Sequence, residues 1–398
     1  MIVGLLTYHW VANFGANLQA LSSYRYLKNN GYNPVIINWI PDDLRDYYER
    51  TVPREQFEAH KKFAKENYDV ITEVCTTSAD IANVINRNSI DTVVIGSDAV
   101  FSIRPFLSRL YVGRRGVKIL KLCSDAIFPN PFWGSFLEGV KHKVRIVSIS
   151  ASAQNSPYKM ILPRERAKYR KALTRFDKIT VRDVWTQNMV KFITGDNFVP
   201  DITPDPVFAF NYNVNPQKRS FVEKVLNITG KYVLVCMPSV LRDEKWLMKL
   251  ETMFNESGIE LVWMPKTNKQ LSVYLKNQLH FPIDPLDWYD AIQYSEGYIG
   301  ELMHPVLVSL HNCVPVFAFD TYGFKKNGKL NTLSSKTFQI MSRFDLISTN
   351  YYNRLYNEYP SPETVYHSIQ CFNKDKVRTE ADIMLGEYLN MMSNVLDL

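Results

Sequence analysis

Ile2-Val3-Gly4-Leu5-Leu6-Thr7-Tyr8-His9-Trp10-Val11-Ala12-Asn13-Phe14-Gly15-Ala16-Asn17-Leu18-Gln19-Ala20 decides how the rest of the chain is read. Ile2–Thr7 is a short apolar run, the pattern of a strand buried on both faces. A loop rich in aromatic and polar residues continues through Asn13. A helix from about Gly15 to Asn29 follows, with Leu18, Ala20, Leu21 and Leu27 as its apolar stripe. Gly31 suits the end of that helix, and Pro34–Trp39 reads as the next strand. Strand, helix and strand in this order argue for a parallel sheet with helices on its faces.

Outward from this unit the rhythm repeats. Thr92–Ile95, Arg145–Ile149 and Lys178–Val181 are short buried strands, and a helix is expected from about Asp183 to Ile193. The charged stretch from Asp42 to Asn67 reads as a solvated helical excursion. Residues 101–140, rich in aromatics, Pro and Gly, read as an irregular insertion. Val199-Pro200-Asp201-Ile202-Thr203-Pro204-Asp205-Pro206 carries three prolines, which resist a continuous helix or central strand, so a hinge is expected there. Beyond it come a strand at Val233–Met237, a helix at Asp243–Asn255 and a strand at Glu260–Met264. Gly297–Gly300, a helix from about Pro305 and Val314–Phe319 complete the pattern. The expectation is two domains, 1–206 and 207–398, with the last helix packing back on the first.

A length of 398 residues suits two cores, which 46% hydrophobic residues can fill. There is no run of 18 apolar residues to span a bilayer. The first residues lack the basic segment and cleavage site of a signal peptide, which points to the cytoplasm. Five scattered cysteines without CxxC spacing indicate neither a disulfide framework nor a zinc site. The net charge of +7 favours anionic substrates or an anionic membrane surface. No basic run or nucleic-acid motif is seen, so nucleic acid is not an expected partner. GxGxxG after a strand, GxxxxGK[ST], HExxH and GxSxG are all missing, so no cofactor or metal is expected.

Four places can carry chemistry. The loop and helix start at Thr7–Ala20 lie at a strand's C-terminal edge, where open α/β sheets bind ligands. Gly15 there permits close backbone approach, and Asn13, Asn17 and Gln19 offer amides; His9 and Trp10 either face the ligand or pack under the loop, with Asn13 as a helix cap. Gly96-Ser97-Asp98 ends a buried strand at the same edge, where Asp98 serves a sugar hydroxyl or caps a turn. Arg182, after Ile179-Thr180-Val181, offers a guanidinium to a carboxylate or phosphate, or a salt bridge to an acid such as Asp205. His304, ahead of Pro305 in a helix's first turn, is an acid/base candidate whose neutral form the helix N-terminus favours. Lys266, after Val262-Trp263-Met264-Pro265, reaches an anion from a loop or is simply solvated.

Taken together and in this order, Leu5–Trp10 with Asn13–Ala20, Val94-Ile95-Gly96-Ser97-Asp98, Thr180-Val181-Arg182-Asp183, Pro204-Asp205-Pro206-Val207 and His304 before its helix resemble the polysaccharide pyruvyl transferase family. The match spans roughly residues 1–320. The resemblance implies a GT-B-like fold, two Rossmann-like parallel-sheet domains facing a cleft. It implies transfer of a pyruvyl group from phosphoenolpyruvate, the donor substrate, to a glycan or lipid-linked oligosaccharide acceptor. In that scheme Arg182 binds the donor anion, His304 handles donor phosphate or proton transfer, and Asp98 or His9 serves the acceptor hydroxyl. The pattern departs from the family at Leu302, where an arginine is often found, at Ala99 (Gln in the family) and at Phe101 (Trp in the family). Lys266, Arg242 and Lys325 are the cations that can replace that arginine. Rival readings are a GT-B glycosyltransferase using a sugar nucleotide, and a non-catalytic glycan-binding member. A lipid-linked acceptor would add peripheral contact with the inner membrane face.

Overall fold

The computed structural model describes residues 1–113, 116–214, 219–267, 275–326, 329–355 and 357–397. The first sheet contains β1 (Ile2–Leu6), β2 (Asn33–Ile36), β3 (Thr92–Asp98), β4 (Arg145–Ala151), β5 (Lys178–Val181) and β6 (Asp201–Ile202), in the order β2-β1-β3-β4-β5-β6. The second contains β7 (Lys231–Cys236), β8 (Ile259–Trp263), β9 (Asn277–Gln278), β10 (Gly297–Gly300), β11 (Val316–Asp320) and β12 (Tyr351–Asn353), in the order β9-β8-β7-β10-β11-β12. Every pairing in both sheets is parallel. All seven residues of β3 are buried, as a central parallel strand with both faces covered requires.

Strand order places the ligand edges. In the first sheet β2 lies on one side of β1 and β3 on the other, so the winding reverses between β1 and β3. In the second it reverses between β7 and β10. Crevices open at such reversals, outside the C-terminal ends of the strands. Those ends are Leu6 and Asp98 in one sheet, and Cys236 and Gly300 in the other.

The first helix, Phe14–Asn29, joins the halves. Asn13 caps it, its side chain accepting from the Ala16 amide. Its Phe14, Leu18, Leu21 and Leu27 belong to one apolar cluster with Leu234, Val306, Leu310 and Tyr388 of the second half. Phe14 stacks on Trp288 at 4.9 Å between ring centroids, with planes 9° apart.

The charged stretch after β2 is helical, as its sequence suggests, but only partly solvated. It forms two helices, Asp42–Thr51 and Arg54–Asn67, and the second buries Gln56, Phe57, His60, Phe63 and Ala64. Gln56 donates to the Ile283 carbonyl at 2.9 Å and accepts from the Ile283 amide at 2.8 Å, tying this helix to the second half. Its charges line the outer face and mask the inner one. In the proline-rich stretch, Asp201-Ile202 forms edge strand β6, where prolines are tolerated on either side. Pro206–Ala209 is then a fully buried turn whose Pro206 carbonyl accepts from Ser22.

Between β3 and β4 run short 3-10 turns and a hairpin, Leu110–Gly113 with Gly116–Ile119. The final helix, Lys374–Leu396, buries Met384, Tyr388, Met391 and Met392. Its last carbonyls, on Val395, Leu396 and Asp397, accept from the Arg145 guanidinium at the start of β4.

Candidate functional site

Two glycines shape the site. A Cβ on Gly15 would fall 1.9 Å from His304 Cγ and 2.2 Å from Nδ1, so the imidazole lies directly against the backbone of the first helix. His304 itself opens the helix Met303–His311 that follows β10. Two helix N-termini therefore meet at the facing edges, and each carries partial positive charge. Gly96, with φ +123°, lies where a Cβ would fall 2.3 Å from the Ile149 carbonyl oxygen. Only glycine fits that backbone, and it sets Asp98 at the end of β3. Asp98 is itself in the left-handed region, at φ +73°, which Asp tolerates better than most residues.

An ionic cluster fills the space between these elements. Arg182 follows β5 and donates through Nη1 to Asp205 Oδ2, while its Nη2 lies 3.6 Å from Asp98 Oδ1. Its side chain is 7% exposed, so the charge is almost wholly removed from water. Gln19, from the first helix, also donates to Asp205 Oδ2. Among the described residues no group accepts a hydrogen bond from Arg182 Nε or Nη2, and none bonds His304 Nε2. Buried polar groups are normally satisfied, so a guanidinium edge and an imidazole nitrogen left open together mark a place for a ligand.

The charges are coupled. Burial alone would raise the Asp98 pKa, but Arg182, then His304 and Lys336, hold it below the usual range. Burial lowers His304; Asp98 and Asp205 oppose that, Arg182 and Lys336 add to it, and the net shift is downward. Lys336, first residue of the helix Lys336–Arg343, is pushed down to about 8, by burial first and by Arg182 second, against Asp183, Asp98 and Asp205. An imidazole whose burial favours the neutral form and an amine lowered to about 8 thus stand beside a carboxylate held in its charged form.

Two cavities adjoin the cluster. A cleft of about 280 Å³ is lined by Asn13, Gly15, Tyr47, Tyr48, Trp288 and His304, with Leu302 and Lys266 at its edge. A smaller hollow of about 120 Å³ is lined by Arg182, Lys336, Gln339, Phe208, Leu307 and Met384. Met303 borders both.

Of the residues singled out in the sequence, Asp98, Arg182, His304, Gly15 and Gln19 come together, and Asn13 and Lys266 line the cleft beside them. Lys266 Nζ lies 3.8 Å from Glu301 Oε1. Others are committed elsewhere. His9 is 1% exposed, its ring nitrogens engage the Thr7 carbonyl and Asn38 Oδ1, and burial lowers its pKa to about 4. Asn17 donates to the His9 carbonyl and bonds His60 at 2.6 Å. Ser97 donates to the Ser150 carbonyl. Arg242 lies near Asp243 on the surface, and the Lys325 side chain is outside the described residues. Sequence reasoning missed Lys336. Its only signal is Ser335, which caps the helix by accepting from the Phe338 amide and so places a lysine at the unfavourable positive end. No group of three His, Cys, Asp or Glu gathers as a metal site among the described residues.

The family model for polysaccharide pyruvyl transferase matches residues 13–322. No curated protein matches the sequence. Among solved structures, the chain is similar to UDP-GlcNAc 2-epimerase from Neisseria meningitidis bound to UDP-GlcNAc, with TM-score 0.52, 10% identity and 100% of both chains covered. It is also similar to UDP-N-acetylglucosamine 2-epimerase from Rickettsia bellii, with TM-score 0.50, 7% identity, and 99% of this chain and 96% of that one covered. At such identity the likeness is one of fold, which is GT-B-like: two six-stranded parallel sheets with their ligand edges facing each other. The match of the family model, from the first helix's cap to the loop after β11, shows that the chain belongs to the polysaccharide pyruvyl transferase family.

Proposed function

We propose that the protein transfers the pyruvyl group of phosphoenolpyruvate to two hydroxyls of a sugar, in a cell-surface polysaccharide or its lipid-linked precursor. The observation that carries this reading is the buried Arg182, whose Nε and Nη2 make no hydrogen bond among the described residues although Nη2 lies 3.6 Å from Asp98, set beside Lys336 and His304. A donor with a carboxylate and a phosphate needs such paired cations, and a guanidinium fork binds either group two-pronged. Leu302 removes the arginine often found near His304 in the family, and Lys336 supplies a positive charge on another side of the same cluster.

The reaction balances without a further reactant. Protonation of the donor's methylene carbon makes a methyl group and leaves C2 cationic. One sugar hydroxyl bonds to C2 and gives up its proton; the C2–O bond to phosphate breaks; the second hydroxyl bonds to C2 and closes the ketal. Of the two hydroxyl protons, one replaces that spent on the methyl group and the other leaves with phosphate. His304 is the proton carrier. Burial keeps its imidazole largely neutral in the free protein, and the arriving negative charge of the donor draws a proton back to it. Asp98 is a weak base, because the cations that stabilise its charge lower its proton affinity; its part is to hold Arg182 and support protonated His304. Tyr47 and Tyr48 line the larger cleft, and aromatic surface there suits an acceptor sugar.

Thermal-shift titration tests the donor. Phosphoenolpyruvate is expected to raise Tm, and a sugar nucleotide is not. Stabilisation by the sugar nucleotide alone makes the protein a glycosyltransferase, and stabilisation by neither, together with binding of glycan, makes it a non-catalytic binder. Acceptor-dependent phosphate release that survives His304→Ala refutes the proton-carrier role.

A further inference from the structure

The insertion between β3 and β4 carries an exposed ribbon that the transfer reaction does not use. Among the described residues its two strands, Leu110–Gly113 and Gly116–Ile119, pair only with each other. Leu110 is opposite Ile119 and Val112 is opposite Val117, so these four aliphatic residues share one face. Val112 is 87% exposed, Val117 70% and Ile119 53%. Phe106, Leu107 and Leu120 extend the exposed apolar surface at the ribbon's base. Tyr111 and Lys118, also paired, occupy the other face. A two-stranded ribbon is marginal in water by itself, and an aliphatic face left bare on one needs a cover.

Charge identifies the cover. From Ala99 to Ser124 the chain holds Arg104, Arg109, Arg114, Arg115, Lys118 and Lys121, and no acidic residue. Glu165 reaches only the Phe106 amide there. At the root, Lys121 and Arg50 line a hollow together with Asp43, Asp46 and Glu49, so the local acids have cations of their own beside them. The same stretch of sequence holds five further cations beside an exposed apolar surface, the combination that seats a surface element in an anionic bilayer. A second copy of the chain fits poorly, since it would bring cations against cations. We infer that this ribbon docks the protein on an anionic lipid surface, its aliphatic face entering the boundary between headgroups and acyl chains.

Position supports the inference. Asp43, in the helix Asp42–Thr51, accepts from the Ser124 amide at 2.7 Å and its hydroxyl at 3.0 Å, fastening the ribbon's root. The same helix presents Tyr47, Tyr48 and Thr51 to the larger cleft. One rigid element thus connects the docking surface to the proposed acceptor cleft, and a lipid-linked sugar would meet the cleft at the bilayer. Among the described residues no helix is long and apolar enough to cross a membrane, so contact of this kind is peripheral. The proposal rests on the pyruvyl-transfer reading only for the nature of the acceptor; lipid binding is measured without catalysis.

Co-sedimentation of the full chain with vesicles tests it. Binding is expected to phosphatidylcholine vesicles containing about a third phosphatidylglycerol, to fail with phosphatidylcholine alone, and to fall at high salt. Val112→Asp combined with Val117→Asp is expected to weaken binding about tenfold or more, and Lys118→Glu several-fold, with Tm and phosphoenolpyruvate stabilisation unchanged. Wild-type failure to bind anionic vesicles, or full binding by the double variant, overturns the proposal. So does a wild-type dimer in light scattering that the double variant splits, because a second copy would then be the cover. Loss of donor binding with vesicle binding intact would instead refute pyruvyl transfer and leave the docking surface standing.

Discussion

Gly15→Ala tests the geometry of the site more sharply than removal of any charged group. The new methyl carbon would fall 1.9 Å from His304 Cγ, and ordinary contact begins at 3.4 Å. The ring or the helix start must therefore yield by about 1.5 Å, and overpacking of this kind typically costs about 1–3 kcal/mol. Against this, alanine is favoured over glycine in a helix by up to about 1 kcal/mol. The net expectation is a modest destabilisation in the wild-type background. In a His304→Ala background the obstacle is gone, so the same substitution becomes neutral or stabilising. The coupling between the two positions is then about 2 kcal/mol, well above the noise of a double-mutant cycle. Urea unfolding of the four proteins reads it without any assumption about activity. In the phosphate-release assay the displaced imidazole is expected to cost Gly15→Ala about a hundredfold, the scale associated with a misplacement of about 1 Å. Equal stability changes in both backgrounds would show that the contact between Gly15 and His304 does not constrain either residue.

Arg182→Met leaves Asp98 and Asp205 buried without their cation and is expected to destabilise by about 3–5 kcal/mol, read from the urea midpoint; a loss under 1 kcal/mol would contradict the burial of the cluster. Lys336 has a folded pKa of about 8 against an ordinary 10.5, so between those values the unfolded chain holds the proton and the folded one does not. Its contribution therefore makes stability rise with pH across that window, and Lys336→Met should flatten the rise and weaken phosphoenolpyruvate binding below pH 8. His9, His60 and His311 are buried with pKa values lowered to about 4, 3 and 4 from 6.5, so each binds its proton more readily unfolded. Stability is expected to fall as pH drops below 6.5, and His60→Gln should reduce that slope in a series of thermal melts.

The fold was legible where periodicity and burial agree. Ile2–Leu6, Thr92–Asp98 and the helix after Asn13 are each dictated by local pattern, and their order implies parallel sheets. The helix Arg54–Asn67 was misjudged because its charged residues outnumber the few that pack, and which face meets the second half is a tertiary fact. In the site, Arg182, Asp98 and His304 stood out because strand ends and helix starts announce a ligand edge. Asp205 was visible as the alternative partner of Arg182, and it does bind that guanidinium, yet Nε and Nη2 make no hydrogen bond among the described residues. Lys336 gave no comparable sign, since its burial depends on a helix from the second half lying against β5's end. The closeness of Gly15 to His304 is equally invisible in one dimension, because each is ordinary in its own neighbourhood.

The packing of the last helix has a consequence for the chain during synthesis. All six strands of the first sheet lie within residues 2–202. Yet Arg145 of β4 waits for the carbonyls of Val395 and Leu396, and Tyr26 meets Tyr388 edge-on at 6.1 Å. The first helix likewise waits for Trp288 and Val306. A nascent first half therefore leaves the ribosome with its sheet complete and a broad apolar flank uncovered. That flank is covered only when almost the whole polypeptide has been released.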